Sequence, residues 1–411
     1  MKTRYLVVAA TALALTAAGC SGKGDPPGSP GEGTAAPGEW SAGTDTVRIG
    51  LISAMTGPFA VLGISQQNGM QVVADQINES GGIGGAQIEI VSRDMQLDPG
   101  KAVQHAHELA GDPTISFVVG PSITSFYNAA SDAFEQQETP NCQPAVVGGS
   151  FADLDYGFRM ENSATQDVIR NLEYLQQEGI TSVGLIYEGD DAGKDYAAII
   201  TELGPEYGVE LAGYEETRND DVSHVSYVQA LRDAGAIWIS NNASGAKTMA
   251  AAQQEGYEGQ MIGGSGAQNV SFLEAAGDAA EGAIFDAPMY QFPLRDKDSW
   301  TPGYADFVEA VEAAYGLNVG PNTGAEMPQG VAVAGDCVYA FAAAADAAES
   351  LEGQAVAAAF ANLSLPADET PSGCRIEPDE EHESYPLECI RLYQWQQDED
   401  GWYTVDITVG D

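Results

Sequence analysis

Basic side chains are scarce in this chain of 411 residues. Sixteen lysines and arginines stand against 61 aspartates and glutamates, and the formal net charge at pH 7 is −45. So negative a chain repels the phosphates of nucleic acid, which makes DNA and RNA implausible partners. The acidity is compatible with a saline or alkaline setting and with plain solubility outside the cell, and composition does not choose between them.

Patterns typical of metal sites and hydrolases are also missing. The four histidines are scattered and no cysteines have C-x-x-C spacing, so we expect neither a metal site nor a cofactor. The stretch GGSGA, 263–267, approaches the G-x-S-x-G elbow of serine hydrolases but ends in alanine, and the only histidine after Ser265 is His382. The protein is therefore not expected to be an enzyme.

No apolar run near the N-terminus is long enough to span a bilayer. Leu6 to Leu15 follows Lys2 and Arg4, whereas a membrane helix needs about 20 residues. The pattern predicts a signal peptide over residues 1–19. The residues before Cys20 resemble a bacterial lipobox, which implies cleavage there and a lipid on Cys20. A plain secretion signal with an unmodified Cys20 is the alternative.

Large apolar residues are rare in the segment that follows. Its glycines, prolines and serines predict a flexible tether over residues 20–45, with the folded part beginning near Thr46. The rest of the chain is longer than one hydrophobic core normally serves, so we expect two lobes.

Four cysteines remain once Cys20 is assigned to lipid, and three pairings are possible. Cys374 and Cys389 flank a polar, turn-rich insert, which favours a disulfide between them. That pairing leaves Cys142 with Cys337.

Strand and helix signals alternate through the chain and start again halfway. In the first half we expect strands at 49–55, 88–91, 117–120 and 145–147, with helices between them and an N-cap at Asp98. In the second half we expect strands beginning at Val183, Val209, Ala236 and Met261. Strands separated by single helices predict two α/β lobes with parallel sheets.

Small and hydroxyl-bearing residues follow three strands of the first half: 55–57, 121–125 and 148–150. Ligands of open parallel sheets bind beyond the carboxyl ends of the strands, where helix N-termini offer N–H groups. These residues suit a carboxylate or a carbonyl oxygen, and the second lobe would face them across a cleft.

The stretch VRIGLISAMTGPFAVLGISQQNGMQVVADQINESGGIGGAQIEIVSRD, with GPSITSF, AASDAF and SFLEAAGDAAEGA, resembles the leucine/isoleucine/valine-type periplasmic solute-binding proteins of ABC importers. The similarity extends from about Thr46 to the C-terminus. It implies the type I clamshell, in which two Rossmann-like lobes are joined by three crossover strands. We assign 46–161 plus 288–390, with the insert 374–389, to the N-terminal lobe, and 162–287 plus 391–411 to the C-terminal lobe.

The resemblance also implies a ligand site. In the first lobe it assigns contacts to Thr124 or Ser125 and to Gly148 and Ser150, and in the second lobe to residues at strand ends. Tyr187 is added because its ring could wall an apolar side chain. The predicted ligand-binding residues are Thr124, Ser125, Gly148, Gly149, Ser150, Tyr187, Asp190, Asp191, Asn241, Asn242 and Ser265.

Ser265 departs from the family pattern, because amino-acid binders usually present a glutamate to the ligand ammonium there. A buried ammonium without a counter-charge costs several kcal/mol. Either Glu188, Asp190 or Asp191 supplies the charge, or the ligand is not a free α-amino acid.

The expected function is that of an extracytoplasmic, lipid-anchored substrate-binding protein of an ABC importer. It would capture a branched-chain or other amino acid, or a related amide or carboxylate, and pass it to permease subunits as a monomer. Presentation of the ligand to a sensor kinase or chemoreceptor is the alternative, since both purposes need the same clamshell.

Overall fold

The computed structural model describes residues 40–409, except 58, 190, 219, 241–243, 269, 289–299, 317–329 and 400. The strands are β1 Thr46–Ser53, β2 Gln87–Asp94, β3 Ile115–Val119, β4 Asn141–Gln143, β5 Gly157–Arg159, β6 Ser182–Glu188, β7 Glu210–Thr217, β8 Ala236–Ser240, β9 Gln260–Gly263, β10 Ile284–Pro288, β11 Ile390–Asp398 and β12 Gly401–Asp406. The helices are α1 Ala60–Glu79, α2 Pro99–Ala110, α3 Thr124–Gln136, α4 Ala164–Gln177, α5 Asp191–Leu203, α6 Val225–Ala230, α7 Gly245–Glu255, α8 Val270–Ala276, α9 Pro302–Tyr315, α10 Val331–Ala348 and α11 Gly353–Phe360.

The strands form two sheets, one in each lobe. The first has the order β2-β1-β3-β4-β5 and is parallel throughout. The second has the order β12-β11-β10-β9-β8-β6-β7, with β6 to β10 parallel and β11 and β12 antiparallel at one edge. The predicted α/β architecture with two parallel-dominated sheets is confirmed, and the antiparallel edge pair is an addition to it.

The fourth strand of the first sheet is not where the sequence placed it. The apolar residues 145–147 form no strand, and β4 consists of Asn141, Cys142 and Gln143. The buried side-chain amide nitrogens of this strand donate hydrogen bonds: Asn141 Nδ2 donates to the Tyr156 carbonyl at 3.0 Å, and Gln143 Nε2 donates to the Gly120 carbonyl at 3.0 Å. Polar residues can thus occupy the sheet, and the apolar run turns away from it.

Folded structure begins earlier than predicted. Trp40 and Ala42 pack against the core of the first lobe, the Trp40 indole N–H donates to Asp346 at 2.9 Å, and Ala42 N donates to the Gly84 carbonyl at 3.0 Å. The predicted end of the tether at residue 45 is therefore too late, because the indole ring supplies apolar area that glycines and prolines lack.

Among the described elements, the chain changes from one lobe to the other in three segments. The first lies between β5 and α4, the second between β10 and α9, and the third between the insert and β11. Ser163 caps α4 in the first of these segments, where its hydroxyl and the Gln166 side chain each bond the other residue's backbone N–H. This reciprocal cap fixes where the second lobe's first helix begins.

Helix α10 is the central helix of the first lobe. It is long and apolar enough to cross a bilayer, but most of it is buried against α1, α11 and the first sheet. Its Cys337 forms a disulfide with Cys142 of β4, with a Cα–Cα distance of 5.8 Å. The structure therefore contains the predicted bond between Cys142 and Cys337.

The predicted disulfide between Cys374 and Cys389 is absent, and both residues are buried thiols. The Cys374 sulfur lies 3.8 Å from the Cys389 carbonyl oxygen, and the Cys389 sulfur lies 3.8 Å from that of Arg375. The prediction was wrong because the insert is held by backbone bonds instead of a staple. Arg159 N donates to the His382 carbonyl at 3.0 Å, and Ser384 N donates to the Arg159 carbonyl at 2.9 Å.

Glycine at position 69 lets α1 approach α10 closely, since a Cβ there would overlap the carbonyl oxygen of Val331. We expect Gly69→Ala to lower the free energy of unfolding by about 1–3 kcal/mol through overpacking. Urea unfolding measures this. Gly100→Ala in α2 is the control, because the new Cβ would meet only the Asp98 side chain; equal effects of the two changes would contradict the close approach.

Non-reducing peptide mapping of the full chain tests the cysteine assignment. We expect a linked peptide pair containing Cys142 and Cys337, and alkylated thiols at Cys374 and Cys389 after denaturation. A linked pair containing Cys374 and Cys389 would contradict the structure.

Candidate functional site

The carboxyl ends of the first sheet are held together by hydrogen bonds of polar side chains, of which Ser53, Gln66 and Ser122 are buried. Gln66 of α1 accepts hydrogen bonds at Oε1 from Ser53 at 2.7 Å and from Ser122 at 2.8 Å. Asp94 accepts bonds from Met55 N at 2.9 Å and from the Thr56 hydroxyl at 2.7 Å. The loops after β1 and β3 are therefore fixed to one another before any ligand arrives.

The glycine loop, residues 147–150, lies beside the first turn of α3. Gly148 N donates to Thr124 Oγ1 at 3.5 Å, and Thr124 is buried. Gly149 has φ +78°, a left-handed conformation that favours glycine. Two of the predicted first-lobe contacts, Thr124 and Gly148, are thus brought together.

The glycine loop meets the first turns of α5 in the second lobe. Gly149 N donates to Asp195 Oδ2 at 2.9 Å, and a Cβ on Gly148 would lie 3.1 Å from the Cα of Ala192 and 3.0 Å from Thr124. A backbone N–H of one lobe therefore holds a carboxylate of the other lobe in a charge-assisted hydrogen bond.

Arg159 supports this loop from behind. It is fully buried at the end of β5 and donates through Nη1 to the Val147 carbonyl and through Nη2 to the Gly149 carbonyl at 2.6 Å. Its Nε lies 3.1 Å from Glu383 Oε2 of the insert, and its guanidinium stacks on Phe151 at 4.5 Å from the ring centroid. The cation is thus compensated by a carboxylate, carbonyl dipoles and a ring.

Three acidic side chains are buried where α4 leaves the first crossover. Glu161, Asp167 and Asp286 are each at most 2% exposed. Asp167 accepts hydrogen bonds from the Asn162 amide and the Tyr196 hydroxyl, and Asp286 Oδ2 accepts one from Asn171 at 2.8 Å. We call Glu161, Asp167 and Asp286 the hinge acids.

Burial raises the pKa of the hinge acids. It raises the pKa of Glu161 to about 8, with the nearby Asp167 adding to the shift and Arg159 opposing it. The pKa values of Asp167 and Asp286 are raised chiefly by burial, and the Asp286 charge raises that of Asp167 further. In the described part of the chain, the buried oxygens Asp286 Oδ1, Asn162 Oδ1 and Asn171 Oδ1 have no hydrogen-bond partner. Protons on the carboxyl groups would supply the donors that these oxygens lack.

The remaining predicted residues fall into three groups. Ser125 lies in the first turn of α3, and the exposed Ser150 accepts from Ala152 N at 3.3 Å, within its own loop. Tyr187 is 5% exposed and packs in the core of the second lobe, where a Cβ on Gly193 would overlap its ring. The structure thus gives the Tyr187 ring a packing role. Outside the described residues lie Asp190, Asn241 and Asn242, the side chains of Asp191 and Ser265, Cys20, the predicted signal peptide and most of the predicted tether.

Glu188 was a candidate counter-charge for a ligand amine. Its Oε1 accepts hydrogen bonds from Ser244 N at 3.2 Å and from the Ser244 hydroxyl at 3.1 Å, at the start of α7. These bonds satisfy hydrogen-bond donors at the N-terminal end of α7, where a negative charge is favourable. Asp195 brings a different carboxylate to the glycine loop.

Sequence reasoning missed Asp195, Arg159 and the hinge acids. Asp195 lies four residues after Asp191 and so on the same face of α5, which was a usable signal. Arg159 directly follows Gly157 and Phe158 in a chain with few basic residues. A rare basic residue next to an apolar one was a second signal of a special role. The hinge acids carry no local signal, because only the fold buries them.

Two other features of the described residues, a surface cavity and the distribution of possible metal ligands, do not indicate a second ligand site. A surface cavity of about 220 Å³ is lined by residues of α6, of the loop after it, including Arg232, and of the loop before β9, including Tyr257. It lies at the amino end of β9, away from the strand ends described above. Among the described residues no group of three histidine, cysteine or acidic side chains could hold a metal ion.

The raised pKa of Glu161 makes stability depend on pH. The folded state keeps a proton that the unfolded state releases above its ordinary pKa, so this contribution is complete in acid and is lost as pH rises toward about 8. We expect Glu161→Gln to reduce the fall in unfolding free energy between pH 5 and pH 8 by roughly 1–3 kcal/mol.

Urea unfolding at several pH values measures this slope. The exposed Glu178→Gln changes the net charge equally and is the matched control. A slope in Glu161→Gln identical to that of the control would show that Glu161 does not carry the proton.

Comparison with known proteins places this geometry in a family. The family model described as periplasmic binding protein matches residues 46–401. The leucine-, isoleucine-, valine-, threonine- and alanine-binding protein of Pseudomonas aeruginosa is 24% identical over 255 residues, 61% of this chain and 68% of that protein. A Leu/Ile/Val-binding protein homolog of Brucella abortus is 23% identical over 374 residues, 87% of this chain and 90% of that protein.

Solved structures share the fold. A periplasmic binding protein type 1 from Bordetella pertussis superposes with a TM-score of 0.78 at 20% identity, over 88% of this chain and 100% of that chain. The branched-chain amino acid transporter substrate-binding protein LivJ from Streptococcus pneumoniae, in complex with isoleucine, has a TM-score of 0.70 at 22% identity, over 88% of this chain and 99% of that chain. The fold is that of the type I periplasmic binding proteins, and this chain belongs to the periplasmic binding protein family of solute-binding proteins.

Proposed function

We propose that this protein is the extracytoplasmic substrate-binding component of an ABC importer, and that it closes its two lobes on a small amino acid or a related carboxylate. The observation that carries the proposal is the hydrogen bond from Gly149 N to Asp195 Oδ2 between the lobes. When the lobes open, Asp195 leaves Gly149 N, and this backbone N–H can then donate the same kind of hydrogen bond to the carboxylate of a ligand.

Three further features support an amino-acid ligand. The Pseudomonas aeruginosa relative is named for binding leucine, isoleucine, valine, threonine and alanine, and the Streptococcus pneumoniae structure is a complex with isoleucine. The first-lobe loops are fixed to one another through Gln66 and Asp94, so little ordering remains when a ligand binds. Asp195 brings negative charge to the cleft, which suits a ligand that also has an ammonium group.

A lipid on Cys20 and the tether would keep the closed lobes near permease subunits in the membrane, and the protein would work as a monomer. Presentation of the same ligand to a sensor kinase or chemoreceptor remains the second candidate. Uptake of radiolabelled ligand by cells with and without this gene separates the two, because only an importer component is required for accumulation inside the cell.

Thermal unfolding of the full chain in the presence of L-leucine, L-isoleucine, L-valine, L-threonine, L-alanine, short amides and small carboxylates tests the binding function. A ligand at about 100 times its dissociation constant should add roughly 2.7 kcal/mol of stability. No shift with any compound of the panel would contradict an amino-acid-type ligand.

Lobe closure is tested by Gly148→Ala. The new methyl group would meet Asp195 Oδ2, Thr124 and Ala192, at 2.8, 3.0 and 3.1 Å, so it should hold the lobes apart and weaken binding of the best panel compound about tenfold or more. Calorimetric titration measures the affinity, with Gly100→Ala as control. Unchanged affinity in Gly148→Ala would show that this contact is not part of the closed complex.

A further inference from the structure

The guanidinium of Arg159 bonds consecutive carbonyl groups of the glycine loop. Nη1 donates to Val147 O, and Nη2 donates to Gly149 O at 2.6 Å and to Gly148 O at a longer 3.4 Å. All three oxygens are therefore turned toward one buried cation. Charge-assisted bonds of this kind are roughly twice as strong as neutral ones.

The orientation of these carbonyl groups fixes the N–H groups of the loop. In a trans peptide the N–H of the next residue points opposite to the C=O. The N–H groups of Gly148, Gly149 and Ser150 are consequently turned away from Arg159. Gly148 N points to Thr124 Oγ1 at 3.5 Å, and Gly149 N points across the cleft to Asp195 at 2.9 Å.

Arg159 is itself held in place by the insert 374–389. The backbone N–H of Arg159 donates to the His382 carbonyl at 3.0 Å, and its backbone carbonyl accepts from Ser384 N at 2.9 Å. Glu383 Oε2 lies 3.1 Å from the side-chain Nε of Arg159. The His382 ring stacks on Phe158 with a centroid distance of 4.4 Å. The insert therefore supplies both the counter-charge and the backbone partners of the arginine.

We infer that Arg159, paired with Glu383, is a positioning residue of the ligand site: it turns the carbonyl groups of residues 147–149 away from the cleft so that the loop's N–H groups face the ligand carboxylate. This inference rests on the proposed function. It also gives the acidic insert a part in ligand binding, through its contacts to Arg159.

The test uses the full chain and two probes, L-leucine and L-leucinamide, which differ only at the carboxylate. In wild type we expect tighter binding of L-leucine. The double variant Arg159→Met/Glu383→Gln removes the cation without leaving an unpaired buried charge, and it should lower the ratio of the two affinities about tenfold or more. Arg159→Lys should restore part of the ratio, because a single ammonium can hold fewer carbonyl groups.

Arg170→Met is the matched control. Arg170 is another buried arginine, and it donates to the carbonyls of Ile390 at 3.0 Å and Leu387 at 2.9 Å in the third crossover. Its loss should lower the melting temperature and leave the affinity ratio unchanged. The inference is overturned if the double variant lowers the melting temperature but keeps the wild-type ratio.

Hydrogen exchange of the ligand-free protein decides the inference separately from the proposed function. The peptide covering residues 146–151 should exchange faster in the double variant than in wild type and in Arg170→Met, since Gly149 N would no longer be aimed at Asp195. Unchanged exchange overturns the positioning role whether or not leucine binds. If wild-type protein binds neither probe, the proposed amino-acid ligand fails while the exchange result still stands.

Discussion

A cation enclosed away from water must be compensated by the groups around it, and Arg159 imposes that requirement at the junction of the two lobes. Its partners come from three separate parts of the chain: the glycine loop, the aromatic ring of Phe151 and the insert that carries Glu383. Each of these parts contacts the same guanidinium group and compensates part of its charge. The orientation of the glycine loop is thus coupled to a segment more than 200 residues later in the chain.

The same region holds the opposite problem, an excess of acid. Arg159 opposes the raised pKa of Glu161 and of Asp167. The oxygens Asp286 Oδ1, Asn162 Oδ1 and Asn171 Oδ1 nevertheless have no hydrogen-bond donor among the described residues. Burial therefore retains protons that water would remove from such carboxyl groups. In a chain of net charge −45, it also reduces the charge repulsion where the lobes are joined.

Most strands could be predicted from the sequence because a short apolar run bounded by glycine or proline fits a buried strand and is too short for a typical helix. The Asp98 cap was predicted on the same local basis, and its side chain accepts from Gly100 N and Lys101 N. The fourth strand could not be predicted in this way, because Asn141 and Gln143 are polar and do not form an apolar run. The hydrogen-bond partners that allow their burial lie in other parts of the chain.

The site divides along the same line. Thr124 and Gly148 come after β3 and β4 along the chain and were among the predicted contacts, and their ligand role stays a prediction. Asp195 and Arg159, by contrast, act through contacts between segments far apart in the chain. The cysteine pairing shows both outcomes. The long-range disulfide is present in the structure, but the short pair that looked simpler remains two thiols.

That long-range disulfide has a consequence for how the protein matures. Cys142 and Cys337 are 195 residues apart, and the chain between them contains strands β6 to β10, most of the second sheet. During synthesis Cys142 is made before β6 to β10 and Cys337 is made after them. The disulfide of the first lobe can therefore form only after most of the second sheet has been made. Only Cys20 precedes Cys142 among the other cysteines, so correct pairing requires the Cys142 thiol to stay reduced until the chain has been made beyond β10.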